Sequence, residues 1–260
     1  MSTAVKKLVI VGGGTAGWLS AAIIAAQHRS HTADGLQVVL IESSDIPTIG
    51  VGEGTWPTMK NTLQQIGLKE ADLFAHCHAV FKQGGKFVNW VRADGQDSST
   101  ASSDNEFYYH PFTVPMGYGR IDLAPYVEDV SQFAIDSNFQ HQICEAGLAP
   151  RTLAEGEYQG QCNYAYHLDA GKLATYLKTH SKARGVCHKV QKVIQIDRDF
   201  EDIRALHLDN KERIEADLFV DCTGFKSLLL GEHYQVPFKR CDDVLFIDTA
   251  LAVQVPYATP

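Results

Sequence analysis

The chain has 260 residues, of which 45% are hydrophobic and 21% are charged, and these proportions are typical of a globular protein in water. The formal net charge of -8 at pH 7 argues against nucleic acid and anionic membrane surfaces as main partners. No apolar run approaches the ~18 residues of a membrane-spanning helix, so we expect no membrane partner either.

An apolar strand, a glycine-rich turn and a helix open the chain, and a dinucleotide pyrophosphate requires this order. The strand is LVIV at residues 8–11, and the turn is GGGTAGW at residues 12–18. Gly12 permits the tight turn, Gly14 leaves room for the phosphates, and Gly17 lets the helix pack closely on the strand. The N-terminus of the helix then offers free N–H groups and the positive end of its dipole to an anion.

A second apolar strand, QVVLI at residues 37–41, ends in Glu42. An acidic residue about 20 to 25 positions beyond the glycines is placed to bind the hydroxyls of a ribose. Strand, turn, helix, strand and acid therefore occur in the order that predicts a dinucleotide site.

The middle of the chain alternates between punctuated loops and short elements. Residues 46–58, IPTIGVGEGTWPT, form a loop rich in glycine and proline. The helix predicted next has an apolar stripe of Met59, Leu63, Ile66 and Leu68.

A strand is predicted over Lys86–Val91, and the polar residues 94–105 predict an exposed loop. Residues 106–165 are rich in aromatic side chains without a clear period. They suggest an inserted substrate-side region.

The last third of the chain returns to regular elements. A helix is predicted over residues 168–177, with Asp169 as its N-cap. Strands are predicted over Val190–Ile196, Ala205–Leu208, residues 216–221 and, as a strand-like segment, Val244–Val255. Parallel strands from both ends of the chain then predict a doubly wound α/β fold with a second layer.

The six cysteines are scattered, and the sequence contains neither C-x-x-C nor H-E-x-x-H. We therefore expect reduced thiols in a cytoplasmic protein and no metal site.

Six motifs occur in one order along the chain: GGGTAGW at 12–18, IPTIGVGEGTWPT at 46–58, FKQGGKFVNW at 81–90, FYYHPF at 107–112, YHLDAGKLATYL at 166–177 and DLFVDCTG at 217–224. Together they closely resemble the flavin-dependent halogenases of the tryptophan halogenase family. The resemblance implies an FAD-binding, doubly wound fold (Rossmann-like, of the glutathione-reductase type) with an inserted substrate-side region. It implies an FAD-binding domain at 1–92 and 165–232, and a substrate-side region at 93–164 and 233–260 that is incomplete at the C-terminus.

The implied chemistry uses FADH2, supplied by a separate flavin reductase, with O2 and chloride or bromide as co-substrates. Flavin hydroperoxide and halide give hypohalous acid, which halogenates a small, electron-rich, indole-like aromatic with the help of a lysine. The FK of FKQGGKFVNW matches that lysine, which makes Lys82 the expected catalytic residue. Lys86 is expected to be structural.

The remaining site residues are also implied by the resemblance. His110 and Phe112 are expected beside the substrate, with core packing as an equal alternative from the residues alone. Trp56 departs from the small aliphatic residue expected in tryptophan-specific members. The residues expected at the cofactor are Gly12, Gly14, Thr15, Ala16, Gly17, Glu42, Ile49, Gly50, Val51, Gly52, Glu53, Val190, Asp221 and Gly224.

Two other functions stay open at this point, an FAD-dependent aromatic monooxygenase and a non-catalytic flavin-binding fragment. The family is normally much longer, and its W-x-W-x-I-P signature is absent here. We therefore expect the chain alone to bind FAD poorly, and its turnover stays open. The sequence also leaves open the substrate, the halide and whether the protein is a homodimer.

Overall fold

The computed structural model describes residues 4–46, 52–88, 107–199, 202–249 and 251. The predicted loop at 94–105 lies outside these residues. By its contacts the chain divides into two compact units, Met1–Gly52 with Asp169–Pro260, and Glu53–Leu168.

The strands are, in chain order, β1 (Lys7–Val11), β2 (Gln37–Glu42), β3 (Glu53–Gly54), β4 (Val80–Lys82), β5 (Gly84–Val88), β6 (Phe107–Pro111), β7 (Ala165–Leu168), β8 (Cys187–Val190), β9 (Val193–Asp199), β10 (Asp202–Leu208), β11 (Arg213–Glu215) and β12 (Leu218–Asp221). The α-helices are α1 (Thr15–Gln27), α2 (Thr58–Gln65), α3 (Glu70–Cys77), α4 (Phe133–Asp136), α5 (Gln140–Glu145) and α6 (Ala170–Ala183). Short 3-10 helices cover Ala124–Tyr126, Val130–Gln132 and Gly224–Lys226, and a π-helix covers Leu228–His233. No helix in the described part of the chain is both long enough and apolar enough to cross a membrane.

The first unit contains a parallel sheet with strand order β12-β1-β2-β8 among the described residues. Ile10 of β1 pairs with Leu40 of β2 on one side and with Val220 of β12 on the other. The predicted β-α-β opening is confirmed, and so is the pairing of strands from both ends of the chain. The strands β1 and β2 are buried on both faces, which explains their uninterrupted apolar sequence.

Each face of this sheet is covered by a different layer. Val9, Val11, Val39 and Ile41 form a core with Leu206, Leu208 and Ile214 of the antiparallel sheet β11-β10-β9. The alternate residues of β1 and β2 point to the opposite face. There α1 packs on β2 and on α6.

The helix α6 begins as predicted, because the Asp169 side chain accepts a hydrogen bond from the Lys172 N–H at 2.9 Å. The predicted strand Val190–Ile196 is wrong in its extent. The structure ends β8 at Val190 and begins β9 at Val193, because the chain passes there from the parallel to the antiparallel sheet.

The prediction of a strand-like segment that begins at Val244 is also wrong for the described residues. Residues 244–249 form no strand, and they are exposed. Apolar composition alone does not make a strand, since a strand also needs a partner for its backbone groups. Residue 250 and residues 252–255 lie outside the described part.

The second unit contains a small antiparallel sheet with strand order β3-β7-β4. Alternation along β4 directs Phe81 and Lys82 to opposite faces. Phe81 packs edge-on against Phe74 and Tyr164, with ring centroids 5.1 and 5.0 Å away, and so faces the core. Lys82, opposite Ala165 of β7, therefore points to the other face.

A two-stranded ribbon of β5 and β6 belongs to the same unit. The strand predicted at Lys86–Val91 is observed as β5, and residues 89–91 lie outside the described part. Phe87 pairs with Tyr108 across the ribbon, and their rings stack at 4.9 Å.

The sequence-based domain boundaries assign residues 53–92 to FAD binding, and that functional assignment stays a prediction. By contacts, residues 53–88 group with residues 107–168 instead. The physical reason is β7, which pairs with both β3 and β4 and so joins segments about a hundred positions apart.

A buried carboxylate, Glu70, organises the core beneath this sheet. Its side chain is 2% exposed and forms an ion pair with Arg151. Its Oε1 accepts hydrogen bonds of 2.7 Å from the hydroxyls of both Tyr164 and Tyr166. Burial and then the bonds to Glu70 raise the pKa of both hydroxyls, so these tyrosines stay protonated and remain donors.

Replacing Glu70 with alanine should lower the free energy of unfolding by about 3–5 kcal/mol, because the largely buried Arg151 guanidinium loses its counter-charge and two tyrosine hydroxyls lose the Glu70 acceptor. Urea denaturation of the purified protein measures this change. Glu128→Ala, at an exposed carboxylate of the same unit, is the matched control. Equal stability of the two variants would contradict an organising role for Glu70.

Candidate functional site

The glycines of the opening turn are glycines for different structural reasons. Gly12 has φ of +115°, and a Cβ there would overlap the carbonyl of Cys222. A Cβ on Gly17 would overlap the carbonyl of Gly12. A Cβ on Gly14, in contrast, would meet nothing within 4 Å. The first and last of these glycines are needed by the protein's own packing, and Gly14 faces open space.

The helix that follows the turn begins without a polar cap. Gly14 is its N-cap, no side chain caps it, and its first turn has no acidic residue. Thr15 and Ala16 are its first two residues, and the N–H groups of a first turn have no partner within the helix. The geometry suits an anion such as a phosphate.

Glu42 lies at the end of β2 beside this turn. Its Oε1 accepts hydrogen bonds from Lys178 Nζ at 2.7 Å and from His188 Nε2 at 2.8 Å. Its carboxylate also lies against Gly13, where a Cβ would overlap it. Burial opposes ionisation of Glu42, but the bonds from Lys178 and His188 hold its pKa below the usual value. The result is an ionised acceptor, which is the chemistry that ribose hydroxyls require.

His188 is the less obvious partner of this carboxylate. Its side chain is 7% exposed, and its ring lies edge-on to Trp18 with centroids 5.0 Å apart. Burial and then the nearby Lys178 ammonium lower its pKa. Because a carboxylate oxygen only accepts, Nε2 carries the hydrogen. Sequence reasoning missed both His188 and Lys178, and only the register of β8 beside β2 brings His188 to Glu42.

Asp221 ends β12, and Gly224 lies in the turn that follows. The Asp221 carboxylate accepts hydrogen bonds from the N–H groups of Thr223, Leu229 and Leu230 at 2.8–3.0 Å, and from the Thr223 hydroxyl. Burial raises its pKa, but these bonds together lower it. Asp221 therefore shapes the loop. Gly224 has φ of +64° and faces open space.

These residues gather because the sheet is parallel. The carboxyl ends of parallel strands meet at one edge, and that edge is the usual ligand site of such sheets. Gly12 follows β1, Glu42 ends β2, Val190 ends β8 in register with Glu42, and Asp221 ends β12 in register with Val11. The structure thus brings together, at one edge, predicted cofactor residues from the ends of four strands.

The other predicted cofactor residues belong to the segment 49–53. Ile49, Gly50 and Val51 lie outside the described residues. Gly52 is an exposed coil residue of the first unit. Glu53 is an exposed residue of β3 in the second unit, where it pairs with Leu168.

The second unit brings Lys82 together with both predicted substrate residues. The Lys82 ammonium lies 5.7 Å from the ring centroid of Phe112 and 5.3 Å from that of Trp56. The Trp56 ring in turn contacts Phe112 at 5.5 Å and His110 at 6.1 Å. We call these four residues the aromatic cluster.

Two residues of the same sheet face adjoin Lys82. The point where a Cβ on Gly54 would lie is 3.1 Å from Lys82 Nζ and 3.5 Å from His167 Nδ1. Burial and then the charge of Lys82 lower the pKa of His167, which favours its neutral form. Sequence reasoning missed His167, because only the pairing of β7 with β3 and β4 brings it here.

The two lysines of FKQGGKFVNW differ in their partners. Lys86 Nζ forms an ion pair with Glu145 at 2.7 Å. Among the described residues no carboxylate forms an ion pair with Lys82. The Lys82 amine is therefore the one available to a ligand.

The family model described as tryptophan halogenase matches residues 7–260. A 7-chloro-L-tryptophan 6-halogenase of Kutzneria sp. (strain 744) is 35% identical over 274 residues, covering 96% of this chain and 50% of that protein. A tryptophan 7-halogenase of Lentzea aerocolonigenes is 33% identical, covering 99% of this chain and 49% of that protein. The chain spans about half the length of the curated relatives it matches.

Solved structures give the same result. The crystal structure of a tryptophan halogenase from Shewanella frigidimarina NCIMB 400 is similar with a TM-score of 0.90 and 44% identity, over 98% of this chain and 49% of that chain. A tryptophan C-6 flavin-dependent halogenase (chlorinase) from taromycin biosynthesis has a TM-score of 0.78 and 34% identity, over 92% and 47% of the two chains. The mixed α/β architecture with a parallel sheet and the resemblance drawn from the motifs are both confirmed.

The Glu42–His188 pair generates a prediction about pH. The folded pKa of His188 is lowered, so the unfolded chain binds more protons there as the solution is acidified. The neutral His188 side chain therefore contributes its full stabilisation at pH values above the pKa of histidine in the unfolded chain. This stabilisation is lost as the pH falls toward the lowered pKa of His188 in the folded protein. His188→Gln keeps an N–H donor for Glu42 but does not titrate.

The free energy of unfolding should therefore fall less steeply for His188→Gln than for the unchanged protein between about pH 7 and pH 5. Urea denaturation at several pH values measures the slope, and His31→Gln, at an exposed histidine of the same unit, is the control. Parallel slopes for all three proteins would refute the role of His188.

Proposed function

The chain belongs to the tryptophan halogenase family, and on this premise we propose that it contributes the FAD-binding and oxidant-activating parts of a flavin-dependent halogenase. The observation that carries the proposal is the aromatic cluster, in which Trp56 joins Lys82 of β4 to His110 and Phe112 from a later segment of the chain. A separate flavin reductase as the source of FADH2 belongs to the same proposal. The cytoplasmic location stays a prediction.

The hydrogen-bonding groups of the first unit match those of FAD. The open space at Gly14 and the uncapped start of α1 suit the pyrophosphate, and ionised Glu42 suits the hydroxyls of the adenine-side ribose. We infer a doubly wound, glutathione-reductase type of FAD-binding fold, with Val190 and Gly224 bordering the cofactor. Bound FADH2 would supply the electrons that activate O2 and so convert chloride or bromide to hypohalous acid.

Lys82 is the proposed catalytic residue. Its Nζ donates a hydrogen bond to the oxygen of hypohalous acid, which polarises the bond between oxygen and halogen. A carbon of the substrate ring attacks the halogen, the oxygen–halogen bond breaks, and the oxygen leaves as water with a proton from Lys82. The ring then loses its own proton, which restores the ammonium. His110 and Phe112 hold the flat ring by stacking.

Gly14→Ala separates ligand binding from folding. Its backbone angles, φ of -74° and ψ of -177°, are open to alanine, and a Cβ there has free space. Its stability should therefore change by no more than ~1 kcal/mol. Its affinity for FAD should fall about tenfold or more, or ~1.4 kcal/mol, because the Cβ takes the space proposed for the phosphates.

Flavin fluorescence quenching measures the affinity, and urea denaturation measures the stability. The matched control is Gly171→Ala, in the first turn of α6, where a Cβ meets only the Asp169 carboxylate at 3.4 Å. Unchanged FAD affinity in Gly14→Ala would place the pyrophosphate elsewhere.

Lys82→Ala should abolish halogenation and leave FAD binding intact, because the amine acts on the oxidant and belongs to the second unit. Lys86→Ala, which loses only a half-exposed ion pair, should retain most of the activity. The assay supplies FADH2, O2, bromide and indole, and detects brominated product by mass spectrometry.

Each other outcome of this assay has a definite meaning. Full activity of Lys82→Ala would remove that lysine from the reaction. Hydroxylated product that forms equally without halide would favour an aromatic monooxygenase. FAD binding without any product would favour a flavin-binding fragment.

A further inference from the structure

The Trp56 indole already makes the contacts that a substrate ring is proposed to make. Its ring touches Phe112 at 5.5 Å and His110 at 6.1 Å, and its centroid is closer to the Lys82 ammonium than that of Phe112 is, at 5.3 against 5.7 Å. Two aromatic rings cannot share this place. A substrate ring must therefore either displace the indole or approach Lys82 past its exposed surface.

Trp56 is not a core residue. It is 57% exposed, whereas Trp18 of the first unit is 1% exposed. Packing among the described residues therefore does not explain so large an aromatic side chain at this position.

The backbone at Trp56 is fixed on both sides. Thr55 is buried, its N–H donates to the Tyr166 carbonyl at 2.8 Å, and its hydroxyl accepts from the Tyr166 N–H at 2.9 Å. On the other side, the Trp56 carbonyl accepts from the Met59 N–H at 2.9 Å, where α2 begins. The backbone therefore holds the Trp56 side chain at this site.

We propose, on the basis of the function proposed above, that Trp56 is a specificity-determining residue that excludes free tryptophan from the place beside Lys82. The site takes instead an electron-rich aromatic no larger than indole. One feature carries this selectivity. A bare ring can approach Lys82 along the exposed surface of the Trp56 indole, whereas the Trp56 indole occupies volume that a ring with an amino-acid side chain also needs.

The test measures equilibrium binding, so that it does not depend on halogenation. Calorimetry compares indole and L-tryptophan as ligands of the purified protein, of Trp56→Val and of Trp56→Phe. We expect the unchanged protein to bind indole more tightly than tryptophan. Trp56→Val should bind tryptophan about tenfold or more tightly than the unchanged protein does, a gain of ~1.4 kcal/mol, and Trp56→Phe should lie between them.

Tyr126→Val, at an exposed aromatic of the same unit, is the matched control and should leave both affinities unchanged. Unaltered FAD affinity and stability confirm that the Trp56 variants are folded. A loss of indole affinity in Trp56→Val without a gain for tryptophan would make Trp56 a stacking platform and overturn the proposal. So would equal effects on both ligands, or no binding of either ligand by any variant.

Halogenation assays form a separate arm. If binding shifts as expected but no variant forms halogenated product, the proposed function fails while the selectivity stands. If product forms, Trp56→Val should raise kcat/KM for tryptophan mainly through a lower KM.

Discussion

Parallel pairing of β1 with both β2 and β12 is the constraint on which the first unit depends. The strand β12 lies more than two hundred positions beyond β1, and its register with β1 is one-to-one from Leu8 to Val11. Because the strands are parallel, their carboxyl ends coincide, and the loops after them open on one edge. That edge combines a helix N-terminus, an ionised carboxylate and a glycine loop, although each comes from a different part of the sequence.

The second unit also brings distant residues together, because successive side chains along its strands point to opposite faces of the sheet. Strand β7 is shared by β3 and β4, so each of its two faces gathers side chains from three segments. One face carries Tyr166 toward Glu70, where a charge-assisted network fixes the strand from below. The opposite face carries His167 beside Lys82 and Gly54. The polar core thus anchors one face of a sheet whose other face carries the Lys82 amine, and a positioned donor needs such support.

The sequence predicted the local parts of this structure well, because their signals are local. The glycine turn, the apolar runs of β1 and β2 and the Asp169 cap each depend on a few neighbouring residues. Register and partners are not local. Nothing in the sequence near Glu42 reports that His188 lies on the adjoining strand, and nothing near Lys82 reports His167. The two incorrect strand predictions, Val190–Ile196 and the segment from Val244, have the same cause. An apolar sequence pattern does not show which sheet, if any, the segment will pair with.

The three glycines of the opening turn differ in whether the fold or a ligand explains the absence of a side chain. A side chain on Gly12 would overlap the Cys222 carbonyl, and a side chain on Gly17 would overlap the Gly12 carbonyl, so the fold itself requires glycine at both positions. No contact within the protein explains Gly14, whose backbone angles any residue can adopt. A residue without a side chain, facing open space at the uncapped start of a helix, is therefore better explained by a ligand than by the fold. Trp56 presents the opposite case, a large side chain that packing among the described residues does not require, and in both cases the proposed ligand accounts for the residue.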